Sequence, residues 1–229
     1  MFKKLNNIGD SGVVCDFGDE VNRSINTSVI KLFHHIKSEV SKGNLEGVLN
    51  YTPSYNKLII NFDLEKINSS KIKDFLKSVD FSKLNISQNS KKWTIPICYD
   101  FEMDLTNMNK TLKIDKDEII NIHLNTDFFI YMVGFVPGHP FMGDLDSKLF
   151  LSRLKTPRVK IPAGSVGVVE KFCNIYPYES PGGWNIIGRT PTKLFNKKDE
   201  SNPCLLAPGD TVKFKSISKK EFEKLKNEK

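Results

Sequence analysis

Apolar residues recur at helical spacing in the first part of the chain. Positions 25, 29, 32, 33, 36 and 40 carry Ile, Val, Leu, Phe, Ile and Val. This period predicts an amphipathic helix over residues 21–42, with Gly43 directly after its end. Short apolar runs on either side of it predict strands. The other elements predicted in this part are strands at 11–17, 45–51 and 57–62 and a second helix that begins with Ser70 as its N-cap.

The pattern changes after a polar stretch at residues 85–92, which we interpret as a linker. Beyond it the apolar runs are short and separated by turns, which favours a closed or nearly closed β-barrel. The predicted fold class is therefore α+β, with a small α/β domain at residues 1–85 followed by a β-barrel domain at residues 86–229. The elements predicted in the second domain are strands at 92–99, 127–135 and 212–217 and a helix at 115–124 opened by a capping box from Asp115 to Glu118.

Composition narrows the class of protein. No apolar run is long enough to cross a bilayer, and the first residues lack the apolar core of a signal peptide. The four cysteines lie far apart with no histidine at ligand spacing, so we expect free thiols, a cytoplasmic location and no metal site. The net charge is +7, but the lysines are scattered and the densest run, at the carboxyl terminus, alternates with glutamates. We therefore expect neither a nucleic-acid nor a membrane partner.

Special backbone residues are concentrated between positions 134 and 191. This segment holds eight of the 14 glycines and seven of the 11 prolines, a density typical of a rigid surface built from tight turns. Three of the four arginines, Arg153, Arg158 and Arg189, lie there too. Because a guanidinium grips carboxylate or phosphate in a bidentate way, these arginines are candidates for anion binding. Structural pairing with nearby acidic side chains is the alternative for each of them.

The same segment mixes aromatic and acidic residues in a way that suits the lip of a pocket or an interface with a partner protein. The candidates for this role are Phe135, Phe141, Asp146, Tyr176 and Trp184.

Familiar catalytic motifs are absent or incomplete. There is no GxxxxGK[ST] sequence, which excludes an ordinary P-loop. Ser165 lies in an Ala-Gly-Ser-Val-Gly sequence that resembles a nucleophile elbow, but the first glycine is missing. A hydroxyl in a tight turn is therefore favoured for Ser165, which could still donate to a ligand oxygen.

Four blocks carry a resemblance to a known family: GFVPGHPFMGDLD, TPRVKIPAGSVGVVE, IYPYESPGGWNIIGRTP and LLAPGDTVKF. In this order they resemble the signature blocks of the 5-oxoprolinase B subunit. This family is also called Kip-type kinase inhibitor and allophanate hydrolase subunit 1. The resemblance covers nearly the whole chain and implies that the barrel is cyclophilin-like. Two positions depart from it. His139 stands where related proteins more often carry an aromatic residue, and Asp144 stands where they usually carry a second glycine.

The resemblance implies a function as well. It points to one component of a bacterial enzyme that opens the small molecule 5-oxo-L-proline to L-glutamate with ATP hydrolysis, and implies that this component is inactive alone. The implied partners are two further subunits of the 5-oxoprolinase, one carboxyltransferase-like and one of the LamB/YcsF type, which would share the ATP. Arg158 and Arg189 are then candidates for binding the phosphoryl group or the substrate carboxylate. His123 matches a family histidine and is the candidate for proton transfer or carbonyl orientation, with a core histidine as the alternative.

Two other functions fit the same resemblance. The chain could inhibit a sensor histidine kinase, with the glycine- and proline-rich surface as the interface. It could also form half of a urea- or allophanate-type carboxyltransferase. That function would require biotin from another chain, because no biotin-attachment motif occurs here.

Overall fold

The computed structural model describes residues 2–84 and 90–228. The chain divides into two compact units, Met1–Asn89 and Ser90–Lys229, and each is described by itself. The predicted boundary between residues 85 and 86, and most of the predicted linker, lie outside the described residues. Within the described residues, no helix combines the length and apolarity that crossing a membrane requires.

The first unit is an antiparallel sheet with two helices. The sheet has the order β1-β2-β4-β3, and Leu32 and Ile36 of the first helix are fully buried in its core. The elements are β1 (Lys4–Asn7), β2 (Gly12–Asp16), α1 (Arg23–Ser41), β3 (Val48–Pro53), β4 (Lys57–Phe62) and α2 (Ser69–Ser78), followed by a 3-10 turn at Phe81–Lys83.

One helix start differs from the prediction. The cap of α2 is Asn68, whose side-chain oxygen accepts a hydrogen bond from the backbone N–H of Lys71 at 3.0 Å. The predicted cap, Ser70, lies inside the helix instead. An asparagine in the extended conformation satisfies a free N–H of the first turn, so the helix begins two residues before the predicted position.

The second unit is built on a seven-stranded sheet with the order β12-β9-β10-β7-β6-β13-β5. A separate pair, β8 and β11, forms a two-stranded ribbon. The elements are β5 (Lys92–Ile97), α3 (Leu105–Leu112), α4 (Lys116–Asn125), β6 (Phe128–Val133), β7 (Pro140–Gly143), β8 (Arg158–Ile161), β9 (Ser165–Val169), β10 (Phe172–Ile175), β11 (Ser180–Gly182), β12 (Asn185–Arg189), β13 (Thr211–Ser216) and α5 (Lys219–Asn227), with a 3-10 turn at Ser147–Leu149.

The two edge strands of this sheet meet, so the sheet is a nearly closed barrel. Just beyond β5, the N–H of Cys98 donates to the carbonyl of Arg189 at 2.8 Å, and the N–H of Arg189 donates back to Cys98 at 2.9 Å. This reciprocal pair joins the ends of the sheet and leaves little free edge. The α+β fold class with a barrel-like second part is thus confirmed.

Inside the barrel the core is apolar, with Ile97, Val166 and Val212 fully buried. The predicted capping box of α4 is wrong, because Asp115 is the N-cap but its side chain makes no cap hydrogen bond. A capping box forms instead at the unpredicted helix α5, between Ser218 and Glu221.

Asp144 adopts a backbone conformation that is most common for glycine. Its φ of 70° lies in the left-handed region, where aspartate is among the better-tolerated residues other than glycine. The hydroxyl of Tyr131 donates to its carboxylate at 3.0 Å. The chain therefore retains a sharp turn directly after β7 without glycine at this position.

Candidate functional site

A cleft of about 320 Å³ in the barrel unit is the candidate site. Aromatic rings form much of its lining. His139 stacks on Phe141 with ring centroids 4.8 Å apart. It forms a T-shaped contact with Tyr176, with ring centroids 5.2 Å apart. The ring centroids of Trp184 and Phe141 lie 6.1 Å apart, and those of Phe135 and His139 lie 5.8 Å apart. Rings in this arrangement offer flat apolar walls to a small ring-shaped ligand.

The backbone around β7 and β10 positions these walls. Phe135 has a φ of 71° and is 73% exposed, so the turn before β7 holds its ring out at the mouth of the cleft. On the neighbouring strand, Asn174 is paired in register with Phe141. Gly167 leaves room for the side chain of Asn174, because a Cβ at position 167 would lie 2.8 Å from the Asn174 side-chain oxygen.

Two buried polar side chains, neither predicted as a site residue, also line the cleft. His139 and Asn174 are each 1% exposed, and the ring nitrogen Nε2 lies 3.0 Å from the amide nitrogen Nδ2. His139 Nδ1 and Asn174 Oδ1 have no hydrogen-bond partner among the described residues. Burial lowers the pKa of His139 to about 4, so the ring is neutral at pH 7. An asparagine within the apolar strand sequence FCNI is the signal that could have pointed to this pair.

Of the three arginines that the sequence suggests for anion binding, the cleft holds Arg153 and neither of the two, Arg158 and Arg189, that the resemblance singles out. Arg153 lines the cleft and is exposed. In the part of the chain that the structure describes, no carboxylate forms an ion pair with it. Its guanidinium is therefore available to an anionic ligand.

Arg158 is committed to a structural partner. Its guanidinium forms an ion pair with the carboxylate of Asp104, which is 2% exposed, and approaches the backbone carbonyl of Trp184 at 3.5 Å. The other oxygen of Asp104 accepts a hydrogen bond from the backbone N–H of Ile186 at 2.6 Å. Arg158 thus positions the Trp184 wall from behind instead of lining the cleft.

Arg189 is also held by the protein itself. Its guanidinium carbon lies 4.8 Å from the ring centroid of Phe101 and 5.5 Å from that of Phe222, and Nη2 donates to the carbonyl of Ala163 at 3.1 Å. These contacts connect α5 to the barrel.

The structure does not bring His123, Ser165 or Asp146 to the cleft. His123 is fully buried, and its Nδ1 lies 2.8 Å from the hydroxyl oxygen of Tyr99. Its ring stacks on Phe214, with ring centroids 4.7 Å apart. Ser165 is fully buried at the start of β9, and Asp146 caps the 3-10 turn by accepting from the N–H of Lys148. The arrangement favours the core-histidine alternative for His123. The catalytic role of His123, ligand binding by Ser165 and the pocket or interface role of Asp146 stay predictions.

Neutral buried histidines make the barrel unit sensitive to acid. Burial lowers the pKa of His123 to about 3, below the value of about 6.5 for an exposed histidine. As the pH falls below about 6.5, the unfolded chain therefore binds protons that the folded chain does not. The free energy of unfolding is highest above this pH and falls as the pH is lowered. Between pH 6.5 and pH 5 we expect a loss of about 2 kcal/mol for each such histidine.

Urea unfolding at several pH values, followed by tryptophan fluorescence, measures this loss in the barrel unit. Both tryptophans, Trp93 and Trp184, lie there. His123→Gln keeps a polar partner for Tyr99 but cannot titrate, so its stability should depend less on pH than that of the wild type. An unchanged pH dependence in this variant would contradict the assignment.

Metal ligands are not gathered anywhere in the described residues, where no group of three or more His, Cys, Asp or Glu side chains could hold a metal ion.

Comparison with known proteins extends over nearly the whole chain. Residues 3–206 match the family model described as carboxyltransferase domain, subdomain C and D. A Bacillus subtilis protein, named as the B subunit of 5-oxoprolinase, is 33% identical over 238 residues, which cover 98% of this chain and 97% of that protein.

Solved structures show the same fold. The crystal structure of TTHA0988 matches with a TM-score of 0.79 and 28% identity, over 91% of this chain and 40% of that one. The present chain thus spans about two fifths of that larger chain. The Kluyveromyces lactis urea carboxylase matches with a TM-score of 0.72 and 21% identity, over 96% of this chain and 22% of that one. The chain therefore belongs to the carboxyltransferase-domain family, subdomains C and D, which includes the B subunit of 5-oxoprolinase.

Proposed function

We propose that this chain is one subunit of an ATP-dependent 5-oxoprolinase, which opens 5-oxo-L-proline to L-glutamate. The observation that carries the proposal is the match to the Bacillus subtilis protein, because it runs along almost the full length of both chains.

The cleft supports the proposal through its chemistry. The proposed substrate is a five-membered lactam ring with one carboxylate, and a volume of about 320 Å³ accommodates so small a molecule. The aromatic walls suit the ring, and the unpaired Arg153 guanidinium suits the carboxylate. Since Arg158 and Arg189 are engaged within the protein, Arg153 replaces them in the proposal as the residue that binds the substrate anion.

The same cleft does not fit ATP. A triphosphate carries several negative charges and is normally held by several cationic groups or magnesium ions, whereas one unpaired arginine lines this cleft. We therefore propose that two partner subunits, one carboxyltransferase-like and one of the LamB/YcsF type, supply the nucleotide site. On this proposal, the chain binds substrate but catalyses nothing alone.

Reconstitution tests this function. The chain alone, the partner subunits without it, and the complete mixture are each assayed for 5-oxoproline-dependent phosphate release and for glutamate. We expect both products from the complete mixture only. An assembled mixture of folded subunits that forms no glutamate would rule out the proposal.

A second candidate is a carboxyltransferase half, which the description of the matching family favours. It predicts transfer of a carboxyl group from carboxybiotin in a mixture with biotin-carrying partners. Inhibition of a histidine kinase stays a prediction from the resemblance alone.

A further inference from the structure

Phe135 has a left-handed backbone conformation and an exposed ring, and both are unfavourable for a phenylalanine. Among the residues that the structure describes, five other than glycine have a positive φ, and four of these are charged: Glu102, Lys113, Asp144 and Glu170. The fifth, Phe135, has a φ of 71° and is 73% exposed. Neither its backbone conformation nor burial in the core accounts for an aromatic side chain at this position.

The loop between β6 and β7 holds this conformation in place. Two backbone hydrogen bonds close the loop: the N–H of Gly134 donates to the carbonyl of His139 at 3.0 Å, and the N–H of His139 donates to the carbonyl of Val136 at 3.1 Å. Pro137 fixes a further φ between them. A strained conformation persists only where its surroundings enforce it, and such residues cluster at ligand-binding and active sites. The conformation of Phe135 therefore points to a function for its ring.

The ring of Phe135 belongs to the lining of the same cleft as the guanidinium of Arg153. It forms a T-shaped contact with His139, at an interplanar angle of 79° and with ring centroids 5.8 Å apart, but most of its surface stays uncovered. A flat apolar ring in the cleft would cover it, and contact with an aromatic side chain stabilises such a ligand.

We propose that Phe135 is a specificity-determining residue, which covers the ring of a small cyclic carboxylate while Arg153 binds the carboxylate group. A rigid ring presents a flat apolar side to Phe135 and loses little conformational freedom on binding, whereas an open chain has to be ordered. The cleft therefore prefers cyclic carboxylates to open-chain ones. The identification of the ligand as 5-oxoproline rests on the proposed function.

Binding of two ligands to the full chain tests the proposal: 5-oxo-L-proline, and N-acetylglycine, which has a carboxylate and an amide but no ring. Calorimetry gives each Kd. We expect the wild-type chain to bind 5-oxo-L-proline at least about tenfold more tightly than N-acetylglycine. Phe135→Ala should raise the Kd for 5-oxo-L-proline about tenfold and that for N-acetylglycine less than about threefold, whereas Phe135→Tyr keeps the ring and should keep the wild-type preference.

Three results would overturn the proposal: no measurable binding of 5-oxo-L-proline to the wild-type chain, equal affinity of the wild type for the two ligands, or an unchanged preference in Phe135→Ala. Phe150→Ala is the matched control, because Phe150 is an exposed phenylalanine of the same unit outside the cleft lining. It should leave both Kd values unchanged.

Phe135→Gly separates binding from folding. Glycine adopts a positive φ without strain, so this variant should resist urea at least as well as Phe135→Ala and lose as much affinity for 5-oxo-L-proline. If the ring served only the fold, both variants would be destabilised and both ligands would bind more weakly by the same factor. That result would contradict the proposal.

Assembly with the partner subunits distinguishes a second use of the ring. If Phe135→Ala keeps the wild-type Kd values but no longer assembles, the ring serves a protein interface and the proposal is wrong. Glutamate formation by the complete wild-type complex would leave the proposed function standing even then. The predicted preference for the cyclic ligand, without any activity in the complete complex, would support the role of Phe135 and rule out the proposed function.

Discussion

Replacing Asp104 with alanine is expected to lower the free energy of unfolding of the barrel unit by about 3–5 kcal/mol, the usual cost of removing one partner from a buried ion pair. The carboxylate is almost fully buried and serves two groups: it forms the ion pair with Arg158 and accepts the N–H of Ile186 at 2.6 Å. Removing it leaves a guanidinium that is 29% exposed and a backbone N–H without their partner. Urea unfolding followed by tryptophan fluorescence measures the change.

The matched control is an exposed ion pair in the same unit. Lys160 and Glu179 lie 3.2 Å apart with side chains 75% and 58% exposed, so Lys160→Ala should change stability by less than about 1 kcal/mol. Equal effects of the two substitutions would show that the Asp104–Arg158 pair is no more than a surface contact.

The second large effect is expected at Gly164. Its φ is 81°, and a Cβ added there would lie far inside van der Waals contact with the carbonyl oxygen of Thr190. Two backbone hydrogen bonds hold Gly164 close to Thr190. The N–H of Gly164 donates to the carbonyl of Tyr176, and the N–H of Thr190 donates to the carbonyl of Gly164. Gly164→Ala therefore combines backbone strain of about 1–3 kcal/mol with a clash of similar cost, and we expect loss of most of the stability of the barrel unit.

Gly209 separates these two causes. It has a φ of 93°, but a Cβ there would meet nothing within 4 Å. Gly209→Ala should therefore show the strain alone, about 1 kcal/mol or somewhat more. If both alanine variants lose the same stability in urea, the close approach to Thr190 contributes nothing.

The regular elements were predictable where one apolar face repeats over several turns or strands. Helix α1 and strand β4 follow such patterns, and the observed Arg23–Ser41 and Lys57–Phe62 lie close to the predicted ranges. Helix α5 has no comparable pattern, because Phe222 is its only buried residue among those described. Barrel closure between Cys98 and Arg189 depends on contacts 91 residues apart (189 minus 98), which no local period encodes.

The aromatic lining of the candidate site could be predicted from the sequence, but which arginine lines it could not. Phe135, Phe141, Tyr176 and Trp184, which the sequence suggests for a pocket or an interface, all line the cleft, and apolar and aromatic walls are usual for small-molecule sites. Sequence treats Arg153, Arg158 and Arg189 alike. Which of them remains unpaired depends on where Asp104, Phe101 and Phe222 lie in the folded chain.

The most direct test of the account is the steady-state kinetics of the reconstituted complex carrying Arg153→Gln. If Arg153 binds the substrate carboxylate, the KM for 5-oxo-L-proline should rise about 10- to 100-fold with kcat little changed, since a hydrogen bond to a charged group contributes about 1.5–3 kcal/mol. Lys155→Gln, an exposed residue outside the cleft lining, is the charge-matched control and should behave as wild type. A wild-type KM in the Arg153→Gln complex would contradict the placement of the substrate in this cleft.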